Sequence, residues 1–292
     1  MKKNNRLSSL EKALEKFLAR LKNENRSNNT IIAYQNDIKQ LIAFLEKAGI
    51  NDAPDVTQDH IKEFKEHLSA KQKYTNKTVS RKLNSFKSFF RFLTNSQVIK
   101  KDPAAAVSHP KIISKLPRIL LSLEYRALRD ACRDDNRTYA IVELMLQAGL
   151  RISEVANLEL NDIQEDKLII KPYESHTNRV VPLNRAAKEA VKNYISERPD
   201  TKKNQNLFIT KNGHPLLVRN IRNSINRYFK IAGIKNVYVN NLRDTFIVNQ
   251  LEAGIPLNVI SKIIGHKRVS STEKYLSLVK TSEKNKVKLK EL

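Results

Sequence analysis

Four side chains have the types and spacing for phosphoryl-transfer chemistry. Arg243 lies in Asn240-Asn-Leu-Arg243-Asp-Thr-Phe246, His266 follows Gly265 after an interval of 23 residues, and Tyr275 comes 9 residues later. A second arginine, Arg151, sits far upstream in Ala148-Gly-Leu-Arg151-Ile-Ser-Glu154. Two guanidinium forks grip the non-bridging oxygens of one phosphate and stabilise the charge of a pentavalent transition state. A tyrosine hydroxyl attacks phosphorus and keeps the energy of the phosphodiester in the new ester. Such a reaction needs neither ATP nor a metal. An arginine after Gly-Leu in an apolar run is expensive without an anionic partner. Glu154 supplies one, either as a plain ion pair or as the group that orients Arg151 from behind.

The phosphate is expected to belong to DNA. The chain has 292 residues, and Lys+Arg at 54 against Asp+Glu at 30 leave a net charge of +24. That surplus runs from end to end, as in a protein that binds a polyanion and releases its counterions. A basic membrane-surface protein is the other reading, but no long apolar run, signal peptide or lipidation motif supports it. The single cysteine, Cys132, excludes an internal disulfide and a cysteine metal site. The 6 histidines show no zinc-like spacing. No metal and no cofactor are expected, and the cytoplasm is the expected setting.

These residues need a frame. Glycine is sparse, with 6 in the chain, which favours long helices. Leu10, Leu14, Phe17, Leu18 and Leu21 share one helix face, and Tyr34, Ile38, Leu41, Ile42 and Leu45 share another after the cap-like Ser27-Asn-Asn-Thr30. Thr57 caps a third helix carrying Ile61, Phe64 and Leu68, and Val79, Leu83, Phe86, Phe90 and Leu93 make a fourth stripe. Four such helices predict a small bundle. Its polar faces carry Lys73, Lys77, Arg81, Lys82, Lys87 and Arg91, of which Lys77, Arg81, Lys87 and Arg91 are expected to meet DNA. Pro103, Pro110 and Pro117 then break helix and stiffen the chain. The domains read as 1–107, a linker at 108–118, and 119–292.

In the second domain Ser122-Leu-Glu-Tyr opens a helix, and another buries Ile141, Leu144 and Met145. Residues 167–171 and 178–182 read as a two-strand hairpin, 186–195 as helix, and Leu207-Phe-Ile-Thr210 as a strand before a turn at Lys211-Asn-Gly213. Residues 219–231 form a basic helix whose Arg219, Arg222 and Arg227 are expected on DNA, and helix resumes at Leu242. The domain is mainly α with a small antiparallel sheet.

These boxes, taken in order, resemble the tyrosine site-specific recombinases of the phage integrase family, in plan the simple two-domain Xer type and the related resolvases of mobile elements. The likeness runs over nearly the whole chain: Asn29-Thr-Ile-Ile-Ala-Tyr34, Thr78-Val-Ser-Arg81, Phe89-Phe-Arg-Phe-Leu93 and Asp102-Pro103, then Gly149-Leu-Arg151, Arg179-Val-Val-Pro-Leu183, Leu242-Arg243-Asp-Thr-Phe246, Gly265-His266 and Tyr275. The resemblance implies a four-helix, SAM-like core-binding domain joined to a catalytic domain, the two clamping double-stranded DNA. It implies strand cleavage by Tyr275 through a 3′-phosphotyrosine and a Holliday-junction intermediate. It also implies a homo-tetramer on two duplexes, with or without a second recombinase or accessory proteins. Arg151 and Arg243 would hold the scissile phosphate, and His266 would hydrogen-bond it.

Two departures stand out. The family's first histidine box reads His-x-Leu-Arg-His, and here Asn240 replaces the histidine that accepts the tyrosine's proton; an amide is not a base near neutral pH. The family lysine that protonates the 5′-oxygen falls, counted back from Pro182, on Glu174. Lys171, three residues earlier, is the replacement candidate, with Lys211 and His176 as stand-ins. The tail beyond Tyr275 carries Leu276, Leu278, Val279, Val287, Leu289 and Leu292 and resembles the family tail that docks on a neighbouring protomer. The leading expectation is a site-specific recombinase that resolves or integrates DNA, in a mobile element or at chromosome or plasmid dimers. A DNA-binding architectural protein with a decayed site would bind without a covalent adduct, and a type IB topoisomerase would relax supercoils without a preferred site.

Overall fold

The apolar stripes of the first third become α1 (Ser9–Asn23), α2 (Asn28–Lys47), α3 (Gln58–Ser69) and α4 (Asn76–Asn95). The computed structural model describes residues 9–70, 74–113, 115–173, 177–201 and 204–279. Ser27 caps α2 by accepting the Thr30 N–H at 3.2 Å. Thr57 caps α3, and His60 completes the box by accepting the Thr57 N–H through Nδ1 at 3.1 Å. The stripes meet in one core whose centre is aromatic. Phe17 lies edge-on to Phe89 and Phe64 tilts against Phe86, each pair at 5.5 Å between centroids.

Lys82 is not on the polar face that its spacing implies. It is buried, and its ammonium reaches Asp37 and Gln40, both at 2.8 Å. Asp37, itself buried on α2, also takes the Arg81 fork at 2.5 and 2.9 Å and the Ser85 hydroxyl at 2.8 Å. A buried carboxylate requires that many partners, so α4 turns Lys82 inward to supply one.

Backbone contacts divide the chain into two units, Met1–Ser114 and Lys115–Leu292. The stretch 108–118 is tied to secondary structure at both ends. On the first unit, Lys65 donates to the Ser108 carbonyl at 3.2 Å, Ser80 pairs with His109 at 3.0 Å and Asn76 donates to the Lys111 carbonyl at 2.9 Å. On the second, Arg118 pairs with Glu124 and the Leu120 N–H donates to Thr245 at 2.8 Å.

The second unit runs α5 (Ser122–Ala131), α6 (Asn136–Gln147), α7 (Ile152–Asn157), β1 (Lys167–Ile170), β2 (Arg179–Pro182), α8 (Arg185–Glu197), α9 (Val218–Ile231), α10 (Asn240–Glu252), α11 (Leu257–Ile264) and α12 (Ser270–Glu273). The strands pair antiparallel, Lys167 opposite Pro182 and Ile170 opposite Arg179. Helices α6 and α10 are buried on nearly all sides, so they are the axis on which the rest packs. Residues 207–210 are not a strand. Within them only Ile209 makes an isolated bridge, to Pro215, and the carbonyls of Leu207 and Ile209 go to the side chains of Arg198 at 3.0 Å and Arg137 at 2.9 Å rather than to a neighbouring strand. After Tyr275 comes a short 3-10 turn, Leu276–Leu278. The rest of the tail, with Val287, Leu289 and Leu292, lies outside the described residues, as do Lys73, Glu174 and His176. Among the described residues no helix is long and apolar enough to cross a membrane.

Candidate active site

The site forms where α11 stops. Gly265 ends that helix in the left-handed region at φ 67°, and the His266 N–H reaches back to the Ser261 carbonyl at 3.0 Å. This leaves the carbonyls of Ile263, Ile264 and Gly265 without helical partners at the negative end of the helix. Three arginines take them. Arg179 Nε donates to Ile263 at 2.6 Å, Arg151 donates to Ile264 and Gly265 at 3.3 and 3.1 Å, and Arg243 donates to Ile264. The sequence motifs at 151, 179 and 243 thus converge on one helix end.

Glu154 binds the cluster from behind. One oxygen accepts from Arg151 Nη1 and Arg179 Nη1 at 2.8 and 2.7 Å; the other accepts from the Arg151 N–H and Arg179 Nη2, both at 2.8 Å. Burial alone would raise its carboxyl, but the Arg179 fork and then Arg151 hold it down to about 2. Arg243 comes next to this pair because Gly149 lets it: a Cβ there would stand 2.4 Å from the Phe246 ring, and the residue has φ 62°. With no side chain in the way, α10 packs directly on that turn and Arg243 donates to the Gly149 carbonyl.

The cluster is over-supplied with positive charge. Arg243 is pushed down to about 9, by burial first and then by the guanidiniums of Arg151 and Arg179. His266 is lowered to about 4, again by burial and then by Arg243 and Arg151. It is therefore neutral at pH 7. Its Nδ1 pairs with buried Thr272 at 2.8 Å, which fixes the ring and leaves Nε2 for a ligand. Tyr275 is buried, and its hydroxyl donates to Asp244 Oδ1 at 2.6 Å. Burial, and then the Asp244 hydrogen bond and charge, raise the phenol above its ordinary value.

Arg151, Arg243, Glu154, His266 and Tyr275 are thus brought into one neighbourhood. Asn240 is exposed at the first position of α10, and no hydrogen bond joins it to the described residues of the cluster. Lys171 is exposed just after β1, its ammonium held by Glu159 and by Asp162 at 3.1 Å, which raises it above its usual value. Lys211 is exposed in the turn after Thr210. Of the side chains expected on DNA, Lys77, Arg81, Arg91, Arg219, Arg222 and Arg227 are exposed; Arg219 and Arg222 lie on α9 away from buried Ile221, Ile225 and Phe229. Lys87 is half-buried and reaches the Ala105 carbonyl at 3.2 Å, Arg81 is tied to Asp37, and Arg227 stacks on Tyr228 at 4.9 Å. The sequence assigns no role to three residues of this cluster: Arg179, which opens a box on a strand, Thr272, and Asp244, which ends the altered histidine box.

Comparison with known proteins gives the family of the chain. Residues 118–281 match the model described as "Phage integrase family", and residues 14–97 match "Phage integrase, N-terminal SAM-like domain". A tyrosine recombinase of Pseudothermotoga lettingae is 30% identical over 92% of this chain and 95% of its own. A tyrosine recombinase XerC of Listeria innocua is 31% identical over 92% and 94%. A lambda integrase (residues 75–356) solved as a dimer on a COC′ core site shares the fold, with a TM-score of 0.73 at 18% identity over 96% of this chain and 98% of that one. With one family model over more than half of its length, the chain belongs to the phage integrase family, that of the tyrosine recombinases.

Proposed function

We propose that this protein is a site-specific recombinase that cuts and rejoins double-stranded DNA through a 3′-phosphotyrosine. The observation that carries the reading is the excess of guanidinium over carboxylate at the end of α11, beside a tyrosine. A phosphate bound there supplies the missing negative charge. Arg151 and Arg243 take its non-bridging oxygens, with charge-assisted bonds that strengthen as the pentavalent transition state forms. Neutral His266 donates through Nε2. Arg179 and Glu154 hold Arg151 in place. Tyr275 Oη attacks phosphorus and the 5′-hydroxyl leaves; the reverse step, with a 5′-hydroxyl from another strand, reseals the backbone. Because the ester bond is conserved, ATP and metal have no step to perform.

Lys77, Arg81, Lys87, Arg91, Arg219, Arg222 and Arg227 contact the DNA backbone in this reading, with Lys171 released from Glu159 and Asp162 to protonate the 5′-oxygen. Four protomers on two duplexes pass through a Holliday junction in the cytoplasm, and the substrate is a mobile-element cointegrate or a chromosome or plasmid dimer. The first test is covalent capture on a nicked duplex taken from a randomised pool by the wild-type protein. A protein–DNA band that Tyr275→Phe abolishes is the expected result. Binding without a band would return the protein to the architectural class, and relaxation of supercoils with no preferred site would make it a topoisomerase.

A further inference from the structure

Asn240 leaves the tyrosine without the histidine that the family box would provide, and the structure places another acceptor at the phenol. Tyr275 Oη donates to Asp244 Oδ1 at 2.6 Å. The second oxygen, Oδ2, accepts from Asn241 Nδ2 at 3.1 Å, and the Asn241 side-chain oxygen accepts the Tyr238 N–H at 2.8 Å. Asn241 is itself buried. The carboxylate is thus aimed by a fixed amide, as a base is oriented by a third group in other activated-nucleophile sites.

We propose that Asp244 is the proton acceptor for Tyr275, with Asn241 as its positioning residue. The inference rests on Tyr275 being the nucleophile. As the Tyr275 Oη–phosphorus bond forms, the phenol proton passes to Asp244 Oδ1. The phosphorus–5′-oxygen bond breaks, and that oxygen takes a proton from a separate acid or from water. On religation the proton returns from Asp244 to the phenol. Among the described residues, the charged groups that face Tyr275 are Asp244 and Arg243 from α10 and Lys274, whose ammonium sits 4.9 Å from the ring centroid. Of these, only the carboxylate can receive a proton at neutral pH. Asn240, exposed one helical turn earlier, holds neither the geometry nor the basicity.

The test uses the nicked duplex captured by the wild type, carrying a 5′-bridging phosphorothiolate at the cleaved position. Its thiolate leaves without a proton, so the rate reports the nucleophile side alone. Asp244→Asn, which keeps the shape and the Asn241 contact, is expected to form adduct about 100-fold or more slowly near neutrality. Its rate should then climb with hydroxide concentration, because the phenol must ionise to water first, while the wild type stays flatter. Asp244→Glu is expected to recover part of the loss, and a gel shift should show unchanged DNA affinity for both variants. An Asp244→Asn rate equal to wild type across the pH range overturns the proposal. So does a faster one, which would make the hydrogen bond a resting lock. Adduct from Tyr275→Phe, or none from the wild type, would instead sink the assignment of Tyr275 itself.

Discussion

In each unit a buried carboxylate gathers at least two cations, Asp37 in the first and Glu154 in the second, and the two clusters are built to opposite ends. In the first, Asp37 takes the Arg81 fork, the Lys82 ammonium and the Ser85 hydroxyl, and Lys82 finds Gln40 for a second bond. Every charge there has what it needs, and Arg81 is raised above its ordinary value, by its bond to Asp37 foremost. In the second, Glu154 is shared by Arg151 and Arg179, while Arg243 stands 3.9 Å away and has to make do with carbonyls. Arg243 is pushed down to about 9 by burial and then by its like-charged neighbours. One cluster is closed. The other carries more guanidinium than carboxylate, at a cost to the fold.

The largest effect should separate the two at once. Arg243→Gln is expected to lower adduct formation by about 100-fold to 1000-fold, yet to leave the melting temperature near that of wild type, because it also removes a like charge. Asp37→Ala is expected to do the reverse: it strands buried Lys82 and costs about 3–5 kcal/mol by urea denaturation. The covalent yield per folded molecule should hardly change. Equal losses of stability in the two variants would mean that the clusters are of one kind and that the comparison fails.

What could be read beforehand divides along the same line. The apolar stripes of α1 to α4, the caps at Ser27 and Thr57, and the spacing of Arg243, His266 and Tyr275 are local patterns, so the sequence displays them. Lys82 lay on a polar face by helical spacing alone; its burial is decided by Asp37 on another helix. Arg179 looks like any alternating strand residue until β2 lies against the end of α11. The link from Asp244 to Tyr275 spans 31 residues and forms where the turn at Leu276–Leu278 packs against α10. Residues 207–210 have strand composition, but the side chains of Arg198 and Arg137 take the carbonyls of Leu207 and Ile209. The types of the candidate side chains are legible in sequence; the partners that tune them are tertiary.

A moderate effect should appear in acid. The Glu154 carboxyl ordinarily takes its proton near 4.5 and in the fold only at about 2. Between those values the unfolded chain binds more protons, so stability is complete above about 4.5 and drains away as pH falls toward 2. The interval is worth on the order of 3 kcal/mol. Urea midpoints measured stepwise across this range should fall for the wild type and less steeply for Glu154→Gln. A slope unchanged by the substitution would place the acid sensitivity elsewhere.

The smallest effect is the sharpest probe of the excess positive charge. His266 is lowered from 6.5 to about 4 by burial, then by Arg243 and Arg151. The sign follows the unfolded chain, which takes the proton first, so His266 favours the fold above about 6.5 and favours it less as pH drops toward 4. An NMR titration of the ring in the free protein is expected to show that low midpoint. Adding the captured DNA duplex should move it upward, since a phosphate among the arginines offsets the charges that now repel the imidazolium. Thr272→Val should free the ring without touching the arginines, and the DNA-induced rise should persist. A free-protein midpoint at or above the ordinary histidine value would mean that the guanidinium charge is already neutralised. The cluster at Glu154 would then be as closed as the one at Asp37.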